Sequence, residues 1–197
     1  MIDIRFSLYP LREDFVPLIL GAIDGLDRFG VERETDDVST LLTGAEPAVF
    51  AAVRVAFGRV ASSGAPVALR GTLLAGESGA LGASGGDAGA GGGGDDLLGG
   101  EEGWPPEAYG LPERVSAQFA LYPLGTDATP DATPDAVHAA IERARRAGIT
   151  VVERPLCTHL YGRGADVFDA LRDAFAAARS RAPHVAMTIA LVANGPG

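Results

Sequence analysis

Residues that build disulfides and metal centres are scarce in this sequence. There is one cysteine, Cys157, and the three histidines lie far apart at positions 138, 159 and 184. One thiol cannot form an internal disulfide, and isolated histidines do not give the ligand spacing of a zinc site. We therefore expect a fold that forms without disulfides, and a protein without a metal or another cofactor.

Basic side chains and long apolar runs are also scarce. The chain has 16 Lys and Arg against 26 Asp and Glu, which gives a net charge of -10. Nucleic-acid binding needs clustered basic side chains, so no nucleic-acid partner is expected. No stretch of about 18 apolar residues is present to span a membrane, and residues 1–6 do not have the regions of a signal peptide. We expect a cytoplasmic protein that is not inserted in a membrane.

Two blocks of sequence occur twice, in the same order. FSLYPL at residues 6–11 returns as FALYPL at residues 119–124, an offset of 113. Residues 40–57 match residues 158–175 at an offset of 118, and nine of these eighteen positions are identical. Repeats that keep their order and spacing indicate an internal duplication. We predict a first repeat over residues 1–75 and a second over residues 117–197.

Between the repeats, residues 76–116 are rich in glycine, aspartate and glutamate, and include four consecutive glycines at positions 91–94. Such a composition cannot bury enough apolar surface to offset the entropy of ordering the chain. No Gly-Lys-Ser/Thr follows the glycines, so they do not form a phosphate-binding loop. This segment is predicted to be a flexible linker. The second repeat also contains a proline-rich insertion, residues 126–135, where it departs from the pattern of the first.

Hydrophobic periodicity predicts the order strand, helix, strand, strand, helix, strand in each repeat. This βαββαβ order is that of a ferredoxin-like unit, with both helices on one face of a four-stranded antiparallel sheet and the first and third strands at its centre. The fold class is therefore α+β, a tandem of two ferredoxin-like (ACT-like) units. The free face of each sheet can be covered by the other repeat or by a second chain. The predicted strands are 4–9, 31–35, 38–43 and 67–74, then 117–122, 150–154, 157–161 and 185–192. Helices start near Asp14, Pro47 and Thr133, and a fourth helix carries Val167, Phe168, Leu171 and Phe175 on one face.

Two threonines are the most informative candidates for a ligand contact. Alternation along the third strand of each repeat places Thr40 and Thr158 on the helix-facing side, among apolar residues. A buried hydroxyl needs a hydrogen-bonding partner. Each threonine is either a core residue bonded to a neighbouring carbonyl, or a ligand contact beside Leu8 in the first repeat and Leu121 in the second. Both interpretations remain open on the sequence alone.

Other polar residues give weaker indications. Ser7 and Gln118 lie on the first strand of their repeats, where they could simply meet water or the other sheet. Cys157 and His159 could form a thiol–imidazole pair, but the first repeat has no such pair. Nucleophilic catalysis needs a base in reach of the nucleophile, and no Gly-x-Ser-x-Gly motif is present. We therefore predict a binding protein and not an enzyme.

The chain resembles the YkoF family of thiamin- and hydroxymethylpyrimidine-binding proteins. The motifs that carry the resemblance are RFSLYP at 5–10, Thr35-Asp36 with Ser39-Thr40, QFALYP at 118–123, Asp166-Val167-Phe168 and HVAMT at 184–188. The resemblance implies a cytoplasmic homodimer that binds thiamin or its hydroxymethylpyrimidine moiety in each repeat. It also implies a role in thiamin-precursor uptake or salvage, linked to an ABC-type transporter.

Carried over to this sequence, the resemblance implies one site formed by Ser7, Leu8 and Thr40, and a second formed by Gln118, Leu121 and Thr158. The alternative function is an ACT-type regulatory domain that senses an amino acid, since such domains share the βαββαβ unit. A ligand titration discriminates the two, because a pyrimidine would stabilise one protein and an amino acid the other.

Overall fold

A computed structural model describes residues 1–76, 110–124, 132–182 and 184–195. The predicted linker lies outside these residues except at its two ends, and most of the proline-rich insertion lies outside them too. The second repeat begins earlier than predicted, because its first strand already starts at Val115.

Both repeats have the predicted order of elements. The first repeat consists of β1 (Ile2–Pro10), α1 (Phe15–Ile23), a 3-10 turn (Leu26–Phe29), β2 (Glu32–Thr35), β3 (Thr40–Gly44), α2 (Glu46–Ala61) and β4 (Val67–Ala75). The second consists of β5 (Val115–Leu124), α3 (Ala132–Arg146), β6 (Thr150–Arg154), β7 (Cys157–Gly162), α4 (Gly164–Arg179) and β8 (His184–Ala193). The prediction of two similar βαββαβ units is confirmed.

The two repeats share one sheet, which the sequence did not predict. Its strand order is β2-β3-β1-β4-β8-β5-β7-β6, so the first and third strands of each repeat are central as expected. The repeats join edge to edge, because β4 pairs antiparallel with β8 over its whole length. Pairing two edge strands satisfies their main-chain N–H and C=O groups. One repeat therefore does not cover the free sheet face of the other.

An approximate two-fold axis, which relates the two repeats, passes through the centre of the β4–β8 ladder. Gly71 pairs with Ile189 at its centre, and these positions are equivalent by the offset of 118. The aromatic contacts between α2 and α4 follow the same two-fold symmetry. The ring of Phe50 lies 6.0 Å from that of Phe175, and Phe57 lies 5.9 Å from its partner Phe168. Residues 50 and 168 are equivalent positions in the two repeats, and so are residues 57 and 175. Each repeat therefore makes the same contact with the other.

All the buried strand residues face the helices, and the other sheet face is open. On β1 the even-numbered residues from Ile2 to Leu8 are buried, while Arg5 and Tyr9 are exposed on the open face. Burial of alternate residues is the pattern of a sheet with one covered face. Thr40 and Leu42 are buried on the helix side, as alternation predicted.

The first helix ends earlier than its apolar pattern suggests. α1 stops at Ile23, because Gly25 adopts a left-handed conformation with φ 65° and a 3-10 turn follows. The buried guanidinium of Arg59 donates from Nη1 to the carbonyl oxygens of Ala22 at 3.0 Å and Asp24 at 2.7 Å. These bonds satisfy carbonyl groups that a helix end leaves without a partner. Arg59 therefore holds the end of α1 against α2.

Candidate ligand-binding site

A small cleft opens at one end of the first repeat. It is lined by residues 6–8 of β1, by Ile19 and Ile23 of α1, and by residues 35–40 around the β2–β3 turn. Its volume is about 80 Å³, well below the range of pockets that enclose a drug-sized molecule. The cleft has room for one small ring, and the rest of a larger ligand would extend outward.

A pair of hydroxyl groups forms the inner wall of the cleft. Thr40 is only 4% exposed, and its Oγ1 lies 3.2 Å from Oγ1 of Thr35. One of these hydroxyls donates to the other, so a second O–H proton remains available. The hydroxyl of Thr40 therefore has a partner, but this partner is another hydroxyl and not the main-chain carbonyl that one interpretation of the sequence required.

The main chain of β1 passes along the cleft without a strand beside it on that side. The ladder between β1 and β3 ends at the pair Phe6↔Thr40, whereas the ladder between β1 and β4 continues to Pro10↔Val67. The edge of residues 7–8 thus faces the β2–β3 turn. Main-chain donors and acceptors placed in this way suit a planar ligand with alternating donor and acceptor atoms.

Side chains fasten the turn to β1. Ser7 Oγ donates to the carbonyl oxygen of Val38 at 2.8 Å. Arg5 Nη1 contacts both Asp36 Oδ2 and Ser39 Oγ at 2.9 Å. The carboxylate of Asp36 accepts the main-chain N–H groups of Val38 at 2.8 Å and Ser39 at 2.7 Å. The turn is therefore held in place before any ligand arrives.

The electrostatics of the turn follow from these contacts. The pKa of Asp36 is lowered, chiefly by the hydrogen bond from the main-chain N–H of Val38, then by that from Ser39, with a smaller contribution from the charge of Arg5. All of these interactions favour the ionised carboxylate. Asp36 is therefore ionised at neutral pH, and its charge is paired with that of Arg5 at 2.9 Å.

The second repeat brings only part of its predicted site together. Thr158 is half-buried and pairs with Phe119, as Thr40 pairs with Phe6. Leu121 is also half-buried, and β5 has no β7 partner there, because that ladder ends at Phe119. Gln118 lies on the open face opposite His159 and is exposed. The structure thus separates Gln118 from Thr158, and the position equivalent to Ser7 is Ala120.

Some residues of the first cleft were missed by sequence reasoning. Ile19, Ile23 and Thr35 were not among the predicted ligand contacts, although Thr35 belongs to a motif that carries the family resemblance. A signal for Thr35 was present, since residues 35 and 40 flank a four-residue hairpin turn, and antiparallel pairing brings such residues opposite each other. Nothing in the sequence indicated that α1 lines the cleft, because its position there depends on how the helix packs on the sheet.

Other kinds of site are not seen in the part of the chain that the structure describes. There, no group of three or more His, Cys, Asp or Glu side chains is arranged to hold a metal ion. Within the same residues, no helix is long and apolar enough to cross a membrane. His159 Nδ1 lies 2.9 Å from Tyr161 Oη on the open sheet face, away from Thr158.

These features define a class: an internally duplicated ferredoxin-like protein with a small cleft between the first strand, the first helix and the hairpin turn. The model of the YKOF-related family matches residues 1–79 and 114–197, which covers both repeats. The chain belongs to this family.

One curated relative is similar over nearly its whole length. It is a protein of Bacillus subtilis (strain 168), provisionally named HMP/thiamine-binding protein YkoF, and is 32% identical over 194 residues, which are 98% of this chain and 90% of the relative. The crystal structure of protein SP2199 from Streptococcus pneumoniae matches 43% of this chain and 87% of its own, at 23% identity and a TM-score of 0.36. A match at that level adds nothing about function.

Proposed function

We propose that this protein binds thiamin or its hydroxymethylpyrimidine moiety, without chemical conversion, and serves thiamin-precursor uptake or salvage. The observation that carries the proposal is the hydroxyl pair of Thr35 and Thr40, 3.2 Å apart beside the free edge of β1. The name of the Bacillus subtilis relative supports the same class of ligand.

The chemistry of an aminopyrimidine fits the first cleft. The ring has two flat apolar faces, acceptor nitrogens and an exocyclic amino donor. Ile19 and Ile23 offer apolar contacts, the hydroxyl pair offers a free O–H donor, and the edge of residues 7–8 offers main-chain groups. Few polar groups in an apolar wall fix the orientation of a small ligand. The cleft holds one ring, so the thiazolium ring of thiamin would lie outside it, towards Asp36.

A titration tests the proposal. Isothermal calorimetry of the full chain with hydroxymethylpyrimidine and with thiamin is expected to show saturable binding. Thr40→Val removes the inner hydroxyl while keeping the side-chain shape, and leaves a polar ligand atom without its partner, so affinity should fall by roughly tenfold or more. Thr150→Val, an exposed threonine on the edge strand β6, is the matched control and should bind normally.

The outcomes separate the candidate functions. If neither ligand binds at millimolar concentration, the proposed function is wrong. Binding of an amino acid in place of a pyrimidine would instead favour the ACT-type regulatory function. Turnover of a bound ligand, followed by mass spectrometry, would contradict the assignment as a non-catalytic binding protein.

The proposal includes a homodimer in the cytoplasm, working with an ABC-type transporter. The support for the dimer is the open sheet face, which no described part of the chain covers. Near its centre Thr72 pairs with Thr188, and the arginines Arg5 and Arg70 lie beside this pair on the same face. A second copy placed on this face would bury a large area of sheet, as the face-to-face packing of two sheets does in other proteins.

A further inference from the structure

Another hollow lies on the helix side of the sheet, between α2, α4 and the 3-10 turn. Its volume is about 380 Å³, within the range of about 300–1,000 Å³ that is typical of small-molecule pockets. The walls are mainly apolar, and they include the aromatic rings of Phe29, Phe50 and Phe168. The hollow shares no residue with the cleft beside Thr40, so it is a separate candidate site.

The approximate two-fold axis between the repeats passes through this hollow. Positions 50, 51 and 54 of α2 line it, and so do positions 168, 169 and 172 of α4, which are their equivalents at the offset of 118. A small hollow that is lined by both members of each pair lies across the axis that relates them. A molecule bound there would therefore contact both repeats at once, and only in their folded arrangement.

The two equivalent arginines of the hollow differ in their partners. Arg172 contacts two carboxylates, those of Asp169 at 3.3 Å and Asp173 at 3.2 Å. In the first repeat the positions of these two acids hold Ala51 and Val55. The arginine of the first repeat has therefore lost both of the partners that neutralise its counterpart.

That arginine is Arg54, which is half-buried and lines the hollow. Among the described residues no carboxylate lies within ion-pair distance of its guanidinium. Glu46, the one acid of α2, is paired with Arg179 of the second repeat instead. A guanidinium stays charged and carries five N–H donors in a fixed fork. The hollow thus combines apolar walls with one positive charge that the described protein groups do not match.

We propose that this hollow binds a small apolar monocarboxylate, such as an arylalkyl carboxylate. Its carboxylate pairs with Arg54, and its ring lies against Phe50 and Phe168. A guanidinium donates two parallel hydrogen bonds to a carboxylate, and apolar walls with few polar groups suit the rest of such a ligand. One negative charge is enough, because Arg172 is already matched. The inference goes beyond the function proposed for the first cleft and does not depend on it.

Calorimetry of the full chain with phenylbutyrate tests the inference, and phenylbutyramide is the uncharged probe of the same shape. The carboxylate should bind saturably, and the amide about tenfold more weakly, because it lacks the charge-assisted bonds. Arg54→Gln should weaken binding of the carboxylate by about fivefold to tenfold, since a half-buried charge contact is partly screened, and should leave binding of the amide unchanged. Arg70→Gln is the matched control, because Arg70 is exposed on the opposite face of the sheet.

A second variant fills the hollow without changing its charge. Ala51→Leu places a larger side chain on the wall and should abolish binding of both probes, while circular dichroism remains that of the folded chain. Thiamin at saturating concentration should not displace phenylbutyrate.

Four results would overturn the inference. They are no saturable binding of phenylbutyrate at millimolar concentration, equal binding of the amide, displacement by thiamin, and unaltered binding by either folded variant. A change of oligomeric state in Ala51→Leu, measured by light scattering, would assign the hollow to a second copy of the chain and would overturn it too.

Discussion

The aromatic ring of Phe50 lies 6.0 Å from that of Phe175, at an angle of 54°. Its symmetric counterpart joins Phe57 and Phe168 at 5.9 Å and 48°. Tilted aromatic pairs at this separation add to the free energy gained from buried area. These two contacts hold α2 against α4, so they fasten the two repeats to each other on the helix side of the sheet.

Truncation of one of these rings should destabilise the whole chain. Phe175 is completely buried, so Phe175→Ala should lower the free energy of unfolding by about 3–5 kcal/mol. Chemical denaturation monitored by circular dichroism measures the change. Phe15→Ala is the control, since Phe15 is 47% exposed and its loss should cost far less. Similar losses for both variants would contradict the assignment of Phe175 to the contact between the repeats.

Gly71 stands where the sheet leaves no room for a side chain. A Cβ at this position would lie 3.1 Å from Cβ of Phe6 and 3.3 Å from the carbonyl oxygen of Arg5. Gly71→Ala should therefore overpack the centre of the sheet and cost about 1–3 kcal/mol of stability. The midpoint of thermal unfolding reports the effect.

Gly21 offers the opposite case and serves as the control. It lies inside α1, and a Cβ there would meet nothing within 4 Å. Because alanine is more favourable than glycine in a helix interior, Gly21→Ala should stabilise the chain by up to about 1 kcal/mol. A stabilising effect of Gly71→Ala would show that β1 and β4 can move apart at little cost.

The turn beside the first cleft should depend on pH. The pKa of Asp36 is lowered in the folded chain, chiefly by the N–H of Val38. A carboxyl of this kind stabilises the fold above its unfolded pKa, and the contribution is lost as pH falls through the folded pKa. The turn should therefore be intact at neutral pH and loosen only below about pH 4.

NMR titration of the amide signals of Val38 and Ser39 measures this transition. Its midpoint should lie below the ordinary pKa of an aspartate, and Asp36→Ala should abolish it. Ligand affinity at the first cleft should decline over the same pH range if the turn forms part of the site. A midpoint at or above the ordinary value would mean that the hydrogen bonds of Asp36 do not persist in solution.

The proposed dimer can be tested at the centre of the open sheet face. Thr188→Asp introduces a charge beside Thr72, and burial of that charge against a second copy would be costly. Light scattering after size exclusion should show a dimer for the unaltered chain and a monomer for the variant. Ala139→Asp, on the exposed side of α3, should remain dimeric. A monomeric unaltered chain would exclude this interface.

The sequence by itself determined the duplication, the order of the elements and the face on which Thr40 lies. Each of these follows from local pattern, since a repeat keeps its spacing and a strand alternates its faces. The constant offset of 113 also relates Ser7 to Ala120 and not to Gln118, so that part of the second site could have been corrected from the sequence.

Tertiary structure alone decided how the repeats combine and how the first cleft is built. Two sheets either stack face to face or join at their edges. Here they join, because β4 and β8 are the edge strands of their repeats and pair with each other. The partner of the Thr40 hydroxyl is an intermediate case. The hairpin pattern places Thr35 opposite Thr40, but the contacts of Arg5 and Ser7 that fasten the turn to β1 join residues more than thirty positions apart, and local pattern does not encode them.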